Sequence, residues 1–285
     1  MAEEDETPRI FVVTGANRGI GLAIVKGIAK RVENGIVYLT SRDAEAGEEA
    51  MNQIKLDLAS ELKADIRTTT LDISDQQSVG DLAKLLKKEH DGVDVLVNNA
   101  GIAFSDDFEE EAKSEEKETM IDRRIEQAEA VIRVNYYGTK QVSDALIPIM
   151  RPGGRIVNVT GKYKSELTAD LLSPRVKVED IDKFVNEYKK LIRADSTEEN
   201  CLGYTLTAYR ISKAAELALT KAQARELKVK QIKVNACCPG YVATRMSDFE
   251  GTLTSEQGAD TPVYLAVDPE APEGKFVFER KPILW

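Results

Sequence analysis

An apolar run, Ile10 to Val13, leads into T-G-A-N-R-G-I-G at Thr14 to Gly21, and Leu22, Ile24, Val25 and Ile28 then recur at roughly helical spacing. Strand, glycine turn and helix in this order predict the opening of a βαβ unit, with backbone N–H groups gathered at the positive end of a helix. Gly15, Gly19 and Gly21 leave room for a pyrophosphate to come close to the main chain, with Asn17, Arg18 and Ile20 between them. Glycine also ends strands and opens helices for structural reasons alone, so the turn by itself leaves dinucleotide binding open.

The next strand-like run, Ile36 to Thr40, ends in Ser41 and Arg42. A carboxylate there would hold the ribose 2'-hydroxyl of NAD; this chain has a hydroxyl and then a guanidinium, with a second guanidinium at Arg18. The guanidinium fork matches phosphate geometry, which points to the 2'-phosphate of NADPH. The alternative is that both arginines are solvated surface residues, Arg42 being partnered by its neighbour Asp43.

The length of 285 residues fits one α/β domain, and strand-like runs at Arg67 to Leu71, Val93 to Val97, Arg155 to Val159 and Gln231 to Ala236 alternate with helix-like stretches. The expected fold is a Rossmann-type doubly wound parallel sheet with helices on both faces and a ligand crevice at the carboxyl ends of its strands. A net charge of -10 argues against nucleic acid and anionic membranes as partners. No apolar run reaches the length of a membrane span, and the acidic M-A-E-E-D-E-T-P start is unlike a signal peptide, so the cytosol is the expected compartment. The three cysteines, Cys201, Cys237 and Cys238, have no metal-ligand spacing and fit reduced thiols. His90 is the sole histidine, reads as a helix end, and excludes a multi-histidine metal site.

Asn98 to Gly101 place a small polar turn after a strand, and Tyr209 and Lys213 stand four apart in Y-R-I-S-K at the start of a good helix. That spacing puts phenol and ammonium on one helical face, where the ammonium stabilises phenolate and makes Tyr209 a usable proton donor or acceptor. T-G-x-x-x-G-x-G at Thr14, L-D-I at Leu71, N-N-A-G at Asn98, Asn135, Y-x-x-x-K at Tyr209 and C-C-P-G at Cys237, in this order, resemble the short-chain dehydrogenase/reductase superfamily over nearly the whole chain. Within it, D-V-L-V-N-N-A-G-I-A-F, V-N-A-C-C-P-G-Y-V and A-D-T-P-V-Y-L-A resemble the monomeric NADPH-dependent carbonyl reductases of animals.

The resemblance implies reduction of ketones, quinones or aldehydes. Tyr209 would give the proton, Lys213 would hold the nicotinamide ribose, and Asn135 would hold a relay water. Asp72 and Ile73 would lie at the adenine, and Asn99, Ala100 and Gly101 along the adenosine. Pro239, Gly240, Val242 and Thr244 would lie toward the carboxamide or pyrophosphate. Asp72 has a turn cap as its alternative role, Asn135 the satisfaction of backbone groups, and Thr244 a helix cap. Tyr163, Tyr241, Met246 and Cys238 are candidate walls of the substrate cleft.

Against the resemblance, Gly161 stands where the family has the serine that hydrogen-bonds the substrate carbonyl. Thr160, Tyr163, Ser165 or a water is left to supply that hydroxyl, or turnover is weak and the chain is an NADPH-binding sensor or scaffold. Two segments depart in length. Residues 105–129 are acidic and read as a solvated helix laced with ion pairs. Residues 162–205, ahead of the Tyr-Lys pair, carry Val178, Ile181, Phe184, Val185, Tyr188 and Leu191 at helical spacing. By the resemblance this insert packs over the surface that other members use to tetramerise, which implies a monomer.

Overall fold

Ile10 to Val13 form strand β1 (Arg9–Val13), and the glycine turn after it opens into helix α1 (Gly19–Ala29). The pattern continues through β2 (Gly35–Ser41), α2 (Ala44–Leu58), β3 (Asp65–Thr70), α3 (Gln76–His90) and β4 (Val93–Asn98). Next come α4 (Lys117–Ile132), α5 (Thr139–Leu146), β5 (Met150–Val159), α6 (Val178–Ala194), α7 (Tyr204–Glu226) and β6 (Lys233–Cys237). The chain closes with α8 (Ser255–Val267), β7 (Phe276–Phe278) and β8 (Lys281–Ile283). The computed structural model describes residues 7–104, 117–161, 171, 173–194 and 204–285.

The eight strands form one sheet in the order β3-β2-β1-β4-β5-β6-β7-β8. All neighbours are parallel except β7 and β8, which are antiparallel. Strand order reverses between β1 and β4, where Val12 lies beside Leu96, so loops leaving these two strands turn to opposite faces and open a crevice at their carboxyl ends.

Side chains alternate across the sheet as the strand period requires. Phe11, Val13, Val37, Leu39, Val95 and Val97 pack against Ile24 and Ile28 of α1, Ile54 of α2 and Val263 of α8. Ile10, Val12, Tyr38, Leu96 and Ile156 face the other way, onto Leu82 and Leu86 of α3 and Val142 and Leu146 of α5. A third cluster lies outside the sheet, where Val131 and Ile132 of α4 and Ile181 and Val185 of α6 close on Ile211, Ala215 and Leu219 of α7.

All six runs read as strands are strands. Two more, β7 and β8, escape a reading by alternation because each is only three residues long. The acidic segment is not a separate solvated helix over its whole length: residues 117–129 belong to α4, whose Arg124 and Ala128 are fully buried, while 105–116 lie outside the described residues.

The insert does contain an amphipathic helix, α6, tied to α4 by Arg193, which donates from Nε and Nη2 to Glu129 at 2.5 and 2.8 Å. One position departs from the expected stripe: Leu191 is 64% exposed, and Ile192 takes the buried place because it follows Ile181, Val185 and Tyr188 at the i+3/i+4 spacing. Tyr163 and Ser165 lie outside the described residues. Among the described residues no helix is long and apolar enough to cross a membrane.

Ile181→Ala should destabilise the protein by about 2–5 kcal/mol, while Leu191→Ala should stay within about 0.5 kcal/mol of wild type. Chemical denaturation of the two variants tests the facing of α6.

Candidate functional site

The crevice between β1 and β4 is held by one hydroxyl and one amide. Thr14 Oγ1 accepts from the N–H groups of Asn99 and Ala100, both at 2.9 Å. Asn99 Nδ2 returns donors to the carbonyls of Thr14 and Gly15 at 3.0 and 3.1 Å, and Ala16 N–H donates to Thr40 O at 2.8 Å. Both amide hydrogens of Asn99 are therefore spent on shaping the glycine turn.

Gly15 has φ of +60°, and a Cβ there would lie 2.9 Å from Ala100 Cα. A Cβ on Gly21 would come within 2.5 Å of both Asn99 Nδ2 and Gly15 O. Arg18 is the extended N-cap of α1 and makes no side-chain cap bond, and the first turn holds no acidic residue. The helix end thus presents N–H groups and a positive dipole without an internal anion to satisfy them. Thr244 closes the cradle from across the crevice, since a Cβ on Gly19 would lie 3.5 Å from its Cγ2. The donor set and the space fit a pyrophosphate, with Asn17 and Ile20 in the same turn.

At the end of β2, Ser41 is buried and Arg42 is exposed. Asp43, the residue that competes for Arg42 in the sequence, accepts from Ala46 N–H at 3.1 Å as the N-cap of α2. Asp72 Oδ1 accepts from both N–H and Oγ of Ser74, at 2.8 and 2.7 Å, which is the turn-capping role. Burial pushes the Asp72 carboxyl up, but the Ser74 bonds and the charges of Arg42 and Arg133 outweigh it and leave it below its ordinary value. Arg42 is thus within electrostatic reach of Asp72. Ile73 is buried beside Gly138, where a Cβ would meet its side chain at 2.9 Å.

Between α4 and α5 the helix widens into a π-helical stretch, Arg133–Gly138, a feature often found at functional sites. It carries Asn135, which is fully buried. Asn135 Oδ1 accepts from Ile102 N–H at 2.8 Å, and Nδ2 donates to Ile102 O and Ser212 Oγ, both at 3.0 Å. Its side chain therefore satisfies backbone and hydroxyl groups, joining the loop after β4 to α7.

On α7, Lys213 Nζ lies 5.8 Å from the centre of the Tyr209 ring. Lys213 is 5% exposed and donates to Glu216 Oε2 at 2.9 Å and to Val159 O at 3.3 Å. Gly101 leaves the space between these groups, as a Cβ on it would meet Asn135 Oδ1 at 3.2 Å and Lys213 Nζ at 3.6 Å. Tyr209, Lys213, Asn135, Ala100 and Gly101 thus converge on one corner of the crevice.

Beyond Pro239 the chain turns through Gly240, whose φ is +85°, and Val242 pairs with Leu253. Tyr209 Oη approaches Met246 Sδ at 3.8 Å, which brings Met246 to the corner. Tyr241 is 53% exposed on the same segment. Cys238 packs against Leu217, Ala236 and Phe276. Its neighbour Cys237 faces the opposite core, where burial drives its thiol far above the ordinary value. Gly161 is buried just beyond β5, and Thr160 before it donates its hydroxyl to Cys237 O at 3.3 Å. Thr160 Oγ1 is committed to β6, and Tyr163 lies outside the described residues.

Two contributors were missed in the sequence. Thr14 counted only as the start of a motif, although its hydroxyl is the hub of the turn. Glu216 is one helical turn past Lys213, and that i,i+3 spacing was a readable signal.

A family model described as short chain dehydrogenase matches residues 9–167, and one described as Enoyl-(Acyl carrier protein) reductase matches 178–273. Carbonyl reductase (NADPH) 1 of Homo sapiens is 36% identical over 97% of this chain and 98% of its own length. Carbonyl reductase (NADPH) 3 of Rattus norvegicus is 37% identical over the same shares. Among solved structures, salutaridine reductase from Papaver somniferum superposes with a TM-score of 0.78 at 30% identity, covering 95% of this chain and 99% of that one. Menthone neomenthol reductase from Mentha piperita gives 0.75 at 28% identity, covering 96% and 99%.

Two glycines should respond oppositely to alanine in the ligand-free protein. Gly21→Ala should cost about 1–3 kcal/mol by overpacking the turn. Gly80→Ala, where nothing lies within 4 Å of the added methyl in α3, should add about 0.5–1 kcal/mol. Denaturation midpoints of the two variants check both signs.

Proposed function

This chain belongs to the short chain dehydrogenase family, and from that membership we propose that it is an NADPH-dependent reductase of carbonyl compounds: ketones, quinones and aldehydes. The observation that carries this reading is the convergence of Tyr209, Lys213 and Gly101 at the open end of a glycine cradle built to take a pyrophosphate.

The chain's own residues divide the work. Backbone N–H groups of Gly19, Ile20 and Gly21 at the start of α1 would hold the pyrophosphate. Arg18 and Arg42 would pair with the 2'-phosphate, a reading supported by Asp43 being occupied as a helix cap. Ala100, Ile73 and Asp72 would line the adenosine, Gly101 the Tyr209–Lys213 corner, and Pro239, Gly240, Val242 and Thr244 the carboxamide or pyrophosphate end. When bound, NADPH supplies a hydride to the carbonyl carbon. Tyr209 Oη gives its proton to the carbonyl oxygen, and the Lys213 ammonium stabilises the phenolate left behind. Met246 and Tyr241 form an apolar wall suited to a flat substrate.

Gly161 would weaken this chemistry if it stands at the serine position of the family. Loss of one carbonyl-polarising donor corresponds to about 3 kcal/mol, or roughly a hundredfold in rate. Thr160 is a poor replacement because its hydroxyl serves the Cys237 carbonyl. The same observation favours a second reading, an NADPH-binding sensor or scaffold that turns over slowly. We further propose a cytosolic monomer that takes neither nucleic acid nor membrane as a partner. The position of α6 across α4 and α7 supports the monomer.

NADPH oxidation against a panel of quinones and aldehydes, with direct NADPH binding measured in parallel, tests the two readings. A working reductase gives turnover that Tyr209→Phe abolishes. Binding without turnover on any compound sinks the reductase reading in favour of the sensor. Gly161→Ser should raise the rate by up to about a hundredfold while leaving NADPH affinity nearly unchanged. Arg42→Ala should weaken NADPH by roughly tenfold to a hundredfold and NADH hardly at all; equal losses would remove the assignment to the 2'-phosphate.

A further inference from the structure

Glu216 has no part in the chemistry described above, yet it is one of the most deeply buried carboxyl groups in the protein, at 2% exposure. Its Oε2 receives the Lys213 ammonium at 2.9 Å, and its Oε1 receives the Thr139 hydroxyl at 3.5 Å. Its backbone carbonyl is also fixed, accepting from Thr220 Oγ1 at 2.8 Å, and Thr220 in turn accepts from Asn158 Nδ2 at 2.8 Å. Glu216 is thus locked into a buried polar network that runs from α7 to the carboxyl end of β5.

Lys213 has three hydrogens on Nζ. One is aimed at Glu216 and one at Val159 O, which leaves the third for a ligand. The position of the ammonium is therefore set by Glu216 and β5 before anything binds.

The electrostatic consequence concerns Tyr209. A lone ammonium beside a phenol favours phenolate and strips the proton at lower pH. Lys213 is not alone, because Glu216 Oε2 accepts from its ammonium at 2.9 Å. With Lys213 as ammonium and Glu216 as carboxylate, the ion pair carries no net charge. Burial raises the Glu216 carboxyl above its ordinary value and outweighs the opposing Lys213 charge and the bonds from Lys213 and Thr139.

Few other groups bear on the pair among the described residues. Cys237 at the end of β6 is within electrostatic reach of Lys213, but its buried thiol stays protonated. β5 offers the Val159 carbonyl, and Thr139 and Asn135 are uncharged. Tyr136 directs its hydroxyl to Asp182 and Tyr137 directs its own to Asn186, both on α6. Arg124 of α4 precedes Asn135 by about three helical turns.

We infer that Glu216 is a positioning residue for the reduction: as the buried counter-ion of Lys213 it fixes the ammonium and offsets its charge, so that Tyr209 keeps its proton over a wider pH range. The site is thereby biased toward giving a proton, the direction a carbonyl reduction needs. This inference rests on Tyr209 and Lys213 acting as proposed above.

Tyrosinate absorbance of the ligand-free protein, wild type minus Tyr209→Phe, reads the ionisation of Tyr209 directly. The midpoint should fall near the ordinary phenol value of about 10. A midpoint close to neutrality overturns the inference, and this measurement stands even if Glu216 variants fail to fold. In folded Glu216→Gln the unpaired ammonium should move that midpoint, and the alkaline fall of kcat/KM for reduction, to lower pH by about one unit. Glu216→Asp, which keeps the charge, should follow wild type. An unmoved profile in Glu216→Gln, or an equal shift in Glu216→Asp, sinks the role. If the wild type reduces no carbonyl at all, the reductase reading fails while the titration still decides whether Glu216 controls Tyr209.

Discussion

The hydroxyl of Thr14 joins the two strands on which the crevice depends. β1 and β4 lie side by side but send their chains to opposite faces of the sheet, so no connecting loop can hold their carboxyl ends together. Thr14 Oγ1 does so by accepting two N–H groups from the turn after β4, and Asn99 answers with two donors to the turn after β1. The glycines are the steric condition for this exchange. Asn99 Nδ2 occupies the place that a side chain on Gly21 would take, so the residue that fastens the crevice also dictates the composition of its rim.

Much of this was legible in the sequence, because it rests on local rules. Six strands announced themselves as apolar runs, the cradle as a strand, a glycine turn and a helix, and the Tyr209–Lys213 pair as a spacing on one helical face. The missing parts depend on partners distant along the chain. The Asn99 amide donates to the glycine turn after β1, and the Asn135 side chain is bound to Ile102 and Ser212; these partners are fixed only by the tertiary arrangement. Leu191 was assigned to the wrong face because apolar residues sit at both 191 and 192, and only packing on α7 selects Ile192. β7 and β8 are too short for a period to emerge, and exist because β6 presents an edge for Phe276 and Val277 to join.

The corner around Tyr209 is organised by what is bound to what rather than by which residue types are present. Thr160 carries a hydroxyl at nearly the right place in the chain, but the Cys237 carbonyl takes it. Lys213 carries a charge beside Tyr209, but its ammonium is bound to the Glu216 carboxyl at 2.9 Å. In both cases a group near Tyr209 is bound to a partner one layer deeper, in the buried polar seam between β5, β6 and α7.

The two outermost strands have a consequence for the protein in concentrated solution. An uncovered sheet edge is a template on which a second chain can add a strand and begin to aggregate. β8 ends the sheet with the exposed pair Lys281 and Pro282, a charge followed by a residue with no N–H to offer, and is only three residues long. β3, at the other border, carries Asp65 and Arg67 locked in an ion pair at 2.9 Å. Charge at both borders, joined by proline and brevity at β8, thus disfavours cross-β stacking of the sheet into fibrils.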